Sequence, residues 1–210
     1  MAQDPELSPQ AFQAIVDLGK MSLALGRVDR ATCHPDGSMP ESDTDHTVML
    51  GLVACAFAER FAPDLDCGKI AQFAFVHDLV EVYAGDTPTA HIMTETDVSD
   101  KKAREDAALA RIRSEMDPEL PWVGATLEEY ERLDTPEARF VKVVDKALPK
   151  ITNILNSGAT FKRQGHDEES GGAFLAHQHA KVRESYGSDQ EAAIRLLEQA
   201  GKEMLRTIFG

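Results

Sequence analysis

His77-Asp78 lies in the segment Ile70-Ala71-Gln72-Phe73-Ala74-Phe75-Val76-His77-Asp78-Leu79-Val80-Glu81, most of whose residues are apolar. A carboxylate beside an imidazole in such surroundings is costly unless something compensates it. A divalent cation compensates both, because each can ligate it. Two further donors stand in apolar helical patterns, His46 upstream and Asp145 downstream. Asp145 follows Val141 by four positions and precedes Leu148 by three, so it lies along the apolar stripe of its own helix. Three converging helices would then deliver two imidazoles and two carboxylates. Against one divalent ion that set is formally neutral. Its mixed N/O character suits Mn, Fe, Co, Ni or Zn, with Mg also admissible, better than calcium or a thiolate-bound metal. Four protein ligands leave positions on a six-coordinate ion for water and a phosphoryl oxygen, an arrangement suited to metal-assisted hydrolysis.

The elements that must position these donors read as helices, because clear period-two alternation is scarce. Ser8-Pro9 is an N-cap followed by proline at the first helical position, opening a helix to about Leu25. Residues 27–39 read as a loop. Residues 41–45 start a second helix, which carries His46 to about Phe61. Asp64-Leu65-Asp66 caps a third, which carries His77-Asp78 to about Gly85, with Glu81 four positions after His77 on the same face. Pro88 prevents that helix from continuing. A highly charged helix spans 95–115, a Pro/Trp loop 117–125 and a short helix 127–133. Thr135-Pro136 restarts the chain into the Asp145 helix, which Gly158 ends. Residues 158–172 read as a mobile loop, and two helices, 173–186 and 190–208, finish the chain. The expectation is an all-α fold, a single compact helical bundle over residues 1–210 with the metal site between helices.

Charge and composition narrow the partners. With 36 acidic against 22 basic residues, the net charge of -14 repels polyanions, so polymeric nucleic acid is not expected as a ligand. A small phosphorylated ligand remains compatible, because a metal and one or two arginines reverse the field locally. Cys33, Cys55 and Cys67 show no CxxC spacing, which points to a reducing compartment and away from a zinc ribbon. No basic-then-apolar leader and no apolar run of ~18–20 residues is visible. The expectation is therefore a cytoplasmic protein without a membrane span.

The order His46, His77-Asp78, Asp145 resembles the H…HD…D pattern of the HD-domain metal-dependent phosphohydrolases. Within that family, Pro40-Glu41-Ser42-Asp43-Thr44-Asp45-His46 is similar to the P-E-S-V-A-E-H segment of the small 5'-deoxynucleotidase branch. His77-Asp78-Leu79-Val80-Glu81-Val82-Tyr83-Ala84-Gly85-Asp86-Thr87-Pro88-Thr89 resembles its H-D-x-x-E-x-x-x-G-D-x-P-T, and Val141-Lys142-Val143-Val144-Asp145 its K-x-x-D. The match covers about residues 27–150. Asp45 stands where the branch has Glu, the stretch after Arg30 lacks a tryptophan, and the C-terminal third matches no signature.

The resemblance implies that His46, His77, Asp78 and Asp145 ligate the metal. Glu81 would orient or deprotonate the attacking water, and Asp86 would handle the proton at the leaving oxygen. Arg30 would grip the substrate phosphate, with Arg27 a less well-spaced rival, and Thr89 at the motif's end would be a further substrate contact. The implied reaction is hydrolysis of 2'-deoxyribonucleoside 5'-monophosphates. A deoxynucleoside triphosphate triphosphohydrolase releasing tripolyphosphate uses the same site, and a non-catalytic nucleotide-binding HD module is the reading from another class. The family also implies a homodimer or higher homo-oligomer, with the C-terminal helices 173–208 packing on the core or supplying the contact.

Taken singly, each of these residues has a plainer reading. A lone buried His or Asp is usually a hydrogen-bonded core residue, and Gly85-Asp86-Thr87-Pro88 is good turn chemistry. His34 and His91 read as incidental loop histidines. His177 and His179, at i and i+2 on a helix, point to different sides and do not form a metal pair. No GxxxxGK[ST] or GxGxxG loop is present, so any phosphate grip comes from metal and side chains.

Overall fold

A computed structural model describes residues 7–87 and 94–210. Helix α1 (Pro9–Leu25) begins as its sequence requires, with the Ser8 hydroxyl accepting from Ala11 N and Pro9 in the first turn. A short antiparallel hairpin follows, β1 (Asp29–Cys33) and β2 (Pro40–Ser42), pairing Asp29 with Ser42 and Cys33 with Pro40. This corrects the loop expected over 27–39. The hairpin turns through His34-Pro35-Asp36-Gly37, with Gly37 at a φ of 71°, and its strands are too short to show alternation.

Helix α2 (Asp43–Phe61) is opened by a capping box in which the Ser42 hydroxyl accepts from Asp45 N and the Asp45 carboxylate accepts from Ser42 N. Asp66 caps α3 (Cys67–Val76) by accepting from Gly68 and Lys69 N. Then the ladder changes. His77 N still donates to Phe73 O, four residues back, but Leu79 N donates to Val76 O and Glu81 N to Asp78 O, three residues back. The expected single helix to Gly85 is therefore two, joined by a tightened turn, and α4 (Glu81–Ala84) is one turn long.

Helices α5 (Glu95–Met116), α6 (Pro121–Arg132) and α7 (Pro136–Leu155) follow. Helix α6 starts six residues earlier than the sequence suggested, because Pro121 serves at its first position rather than in a loop. The expected mobile loop over 158–172 contains α8 (Ala159–Arg163) and the first turn of α9 (Glu168–Tyr186), capped by Asp167. Helix α10 (Glu191–Phe209) ends the chain.

The architecture is a helical bundle with a two-stranded sheet at one side. Helix α7 is its axis. Phe140, Val141, Val144, Ala147 and Leu148 are buried on it, packed with Leu50 and Ala54 of α2, Ile70 and Phe73 of α3, and Ile194 and Leu197 of α10. Each of these side chains larger than alanine contributes about 1.5–3 kcal/mol by leaving water. A second cluster, with Met21, Val76, Ile112 and Leu127, ties α1, α5 and α6 to the turn after α3. The apolar stripe of α10, including Ile194, Leu197 and Met204, is buried within the chain. The C-terminal helices thus pack on the core. No helix among the described residues is long and apolar enough to cross a membrane.

Candidate metal centre

The tightened turn after α3 builds the centre. In three-residue-per-turn geometry, positions i and i+3 eclipse, so Asp78 and Glu81 come side by side. Asp43, in the first turn of α2, joins them: one oxygen each of Asp43, Asp78 and Glu81 lie within 4.8 Å of one another. His46, one turn along α2, meets His77 and Asp145 of α7 in a second group of the same tightness. Asp78 connects the groups, its Oδ2 lying 2.9 Å from His77 Nε2 and 3.9 Å from His46 Nε2. The four expected ligands are therefore brought together. Glu81 clusters with Asp78 and Asp43 rather than sharing a helical face with His77.

His77 is held for ligation. His77 Nδ1 lies 2.9 Å from Ala74 O and donates to it, which leaves Nε2 as the lone-pair nitrogen. That Nε2 is buried and makes no well-aligned hydrogen bond, and Asp43 Oδ2 and Glu81 Oε2 are likewise buried without a partner. Each orphaned atom costs about 1–3 kcal/mol in a closed protein interior. A cation beside them offers His77 Nε2 a direct partner and offsets the charge of the two carboxylates. Donor spacings near 2.9 Å match the ~3 Å expected between neighbouring ligands at right angles with ~2.1 Å bonds. The donor set fits one divalent transition metal.

His46 lies between two carboxylates. Its Nε2 is 2.9 Å from Asp145 Oδ1 and its Nδ1 is 3.5 Å from Glu41 Oε1. Burial pushes the imidazole down, but the bonds to Asp145 and Glu41 outweigh it and raise the pKa to about 9. Glu41 is itself fixed by Thr32 Oγ1 at 2.5 Å and Thr152 Oγ1 at 3.4 Å. Burial, then the charges of Asp78 and Asp43, push Glu81 up to about 10. Burial likewise raises Asp86, against the pull of Arg30.

Arg30 enters from β1. Its Nη1 donates to Asp43 Oδ1 and Asp78 Oδ2, both at 2.8 Å. The hairpin explains its reach, since it holds β1 against the N-terminus of α2. Gly85, at a φ of 72°, turns the chain after α4 so that Asp86 lines the same cavity as Arg30, His77, Asp78, Glu81 and Asp145. Arg104 of α5 donates to Thr87 Oγ1 at 3.0 Å and holds this segment. The cavity measures about 220 Å³ and runs along α7 towards α8 and α9.

Not every candidate joins the centre. Arg27 is exposed and does not line the cavity. Thr89 and His91 lie outside the described residues. His34 faces Asp45 at 3.4 Å, and His177 and His179 belong to neither donor group. Sequence reasoning passed over Asp43 and Glu41. Both are acids in the very segment that leads to His46, and their almost complete burial is the signal that sets them apart.

The HD domain family model matches residues 24–186, a span that holds every donor described above. The chain belongs to the HD-domain family. The HD fold also appears in a solved structure described as a predicted metal-dependent phosphohydrolase from Magnetospirillum magnetotacticum MS-1, 25% identical, with a TM-score of 0.74 over 94% of this chain and 97% of that one. A conserved hypothetical protein from Pyrococcus furiosus, 22% identical with a TM-score of 0.56, covers 91% of this chain and 99% of its own and shares the fold. Among curated HD relatives, 5'-deoxynucleotidase hdd1 of Schizosaccharomyces pombe is 30% identical over 51% of this chain and 54% of that protein. 5'-Deoxynucleotidase HDDC2 of Danio rerio is 33% identical over 50% of each. The Xenopus laevis HDDC2 is 32% identical over 74% of this chain and 75% of its own. The chain thus spans about half the length of the first two.

Proposed function

We propose that the protein is a metal-dependent phosphohydrolase of small nucleotides that converts 2'-deoxyribonucleoside 5'-monophosphates to deoxynucleoside and phosphate. The observation that carries this is the convergence on Asp78 Oδ2, which faces His77 Nε2 at 2.9 Å and Arg30 Nη1 at 2.8 Å. Arg30, His77, Asp78 and Asp145 also line one cavity, which supports a metal and a phosphate bound side by side. The three relatives named 5'-deoxynucleotidases support the monophosphate substrate.

In this reading His46, His77, Asp78 and Asp145 hold the metal. When bound, the ion draws charge from the phosphoryl oxygens and lowers the pKa of water. Arg30 binds two non-bridging oxygens of the phosphate. With the charges of Asp78 and Asp43 offset by the ion, Glu81 would be a carboxylate and would take a proton from the attacking water as its oxygen bonds to phosphorus. The bond from phosphorus to the 5' oxygen breaks, and Asp86, whose burial favours its protonated form, supplies the proton that oxygen needs. A cytoplasmic setting belongs to this reading, supported by three free cysteines. So do residues 1–210 acting as one domain.

Attack at the α-phosphorus of a deoxynucleoside triphosphate would use the same donors and release tripolyphosphate. Chromatographic separation of the products decides between them. The monophosphatase reading expects inorganic phosphate from monophosphates. Tripolyphosphate from triphosphates, with monophosphates untouched, would overturn it.

A further inference from the structure

The cavity continues past the metal donors along α7, and what lines it there has no part in the reaction above. Lys142, Lys146 and Lys150 recur every four residues on one side of α7, and all three line the cavity. Two other cations of this cavity have acidic counterparts. Arg30 has Asp43 and Asp78, and Lys101 has Glu105 at 3.1 Å. The three lysines of α7 differ, because among the described residues none has a carboxylate within ion-pair distance, although the charge of Asp145 reaches each of them. Lys142 lies over the Tyr130 ring, 5.4 Å from its centre, which leaves Lys146 and Lys150.

Lys150 is only 4% exposed, and its Nζ donates to two neutral acceptors, the Lys146 carbonyl oxygen at 2.8 Å and Gln178 Oε1 of α9. Burial, then the charge of Lys146, push its pKa down to about 7. Answered only by neutral dipoles, the buried amine gives up its proton easily, and an anion brought into the cavity would hold it as an ammonium. A neutral base edge would offer Lys146 and Lys150 no such partner. Lys150 lies five residues beyond Asp145, a rise of about 7.5 Å along the helix, within the span of a single nucleotide.

We propose that Lys146 and Lys150, with Gln178 beside them, form a second anion subsite, which receives a phosphate group of the nucleotide other than the one held at Arg30. The proposal rests on the nucleotide reading of the cavity and deepens it: substrates with two or more phosphates bind more tightly than monophosphates. The second phosphate comes either from a 5' polyphosphate chain or from the 3' position.

The test uses the full metal-loaded chain with a deoxynucleoside 5'-monophosphate, the matching 3',5'-bisphosphate and the matching 5'-triphosphate. It compares wild type with Lys146→Met, Lys150→Met and the double variant. The proposal expects a wild-type KM at least about tenfold lower for one of the two substrates with more than one phosphate, as one or two charge-assisted hydrogen bonds supply. That advantage disappears in the variants, while the monophosphate kcat/KM stays within about twofold. Loss confined to the triphosphate assigns the 5' chain, and loss confined to the bisphosphate assigns the 3' phosphate. Equal KM values for all three substrates in wild type, or equal losses on all three in the variants, would overturn it.

Binding of inorganic tripolyphosphate to chelator-treated protein, followed by calorimetry, gives a readout independent of turnover. Binding by wild type that weakens at least about tenfold in the double variant supports the subsite even if no nucleotide is hydrolysed, in which case only the nucleotidase reading falls. No binding by wild type, or binding the double variant retains, overturns the subsite.

Discussion

Arg30 Nη1 stands 2.8 Å from Asp78 Oδ2, the oxygen that His77 Nε2 faces at 2.9 Å. A guanidinium this close to a metal-type donor set neutralises carboxylates and can turn to a phosphate bound beside them. Arg30→Lys keeps the charge and loses the planar fork, so kcat/KM should fall by about 10- to 100-fold with metal content unchanged. Steady-state kinetics with metal analysis checks this, and unchanged kcat/KM would remove Arg30 from the phosphate site.

Glu81 and Asp78 share a cluster but hold different posts in the proposed reaction. Glu81→Gln should keep one ion per chain and lower kcat by about 10²- to 10⁴-fold, the range for a lost general base. Asp78→Asn should lose the ion. Elemental analysis beside kcat separates the two, and loss of metal from Glu81→Gln would make Glu81 a ligand instead.

Glu41 reaches no substrate, yet it sits 3.5 Å from His46 Nδ1 and orients that ring. Glu41→Gln should weaken metal binding by about 10- to 100-fold. Competition with a chromogenic chelator measures this, and an affinity equal to wild type would leave Glu41 as a structural acid only.

Lys150 sets a pH dependence of stability. Its folded pKa, about 7, lies below the ordinary lysine value of 10.5. Between these values the unfolded chain holds the proton and the folded one does not, so this group raises stability as pH rises from about 7 to about 10.5. The slope is at most about 1.4 kcal/mol per pH unit. Denaturant titrations of wild type and Lys150→Met should diverge across that window, with the variant lacking the rise. Parallel curves would show that the buried ammonium titrates normally.

Much of this centre was legible in the chain. His77-Asp78 and Asp145 stand out because charged and imidazole side chains interrupt apolar patterns, and burial makes such interruptions expensive. The α7 stripe and its Thr135-Pro136 start were equally clear. The hairpin was not, because strands of five and three residues carry no readable period and form by pinning Arg30 to the start of α2. The break after Val76 was also hidden. Leu79 and Val80 continue the apolar pattern, and only the shift to three-residue hydrogen bonding reveals that Glu81 belongs with Asp78. Lys146 and Lys150 carry no signal of their own in the sequence, and the burial of Lys150 appears only where its Nζ meets Gln178 of α9.

The most direct test strips the protein with chelator, reloads it separately with Mn, Co, Zn and Mg, and follows phosphate release from a panel of deoxynucleoside 5'-monophosphates. The account predicts release that is absent without metal and saturates near one ion per chain. A protein that binds its ion and frees no phosphate from any of them with any of these metals would contradict it.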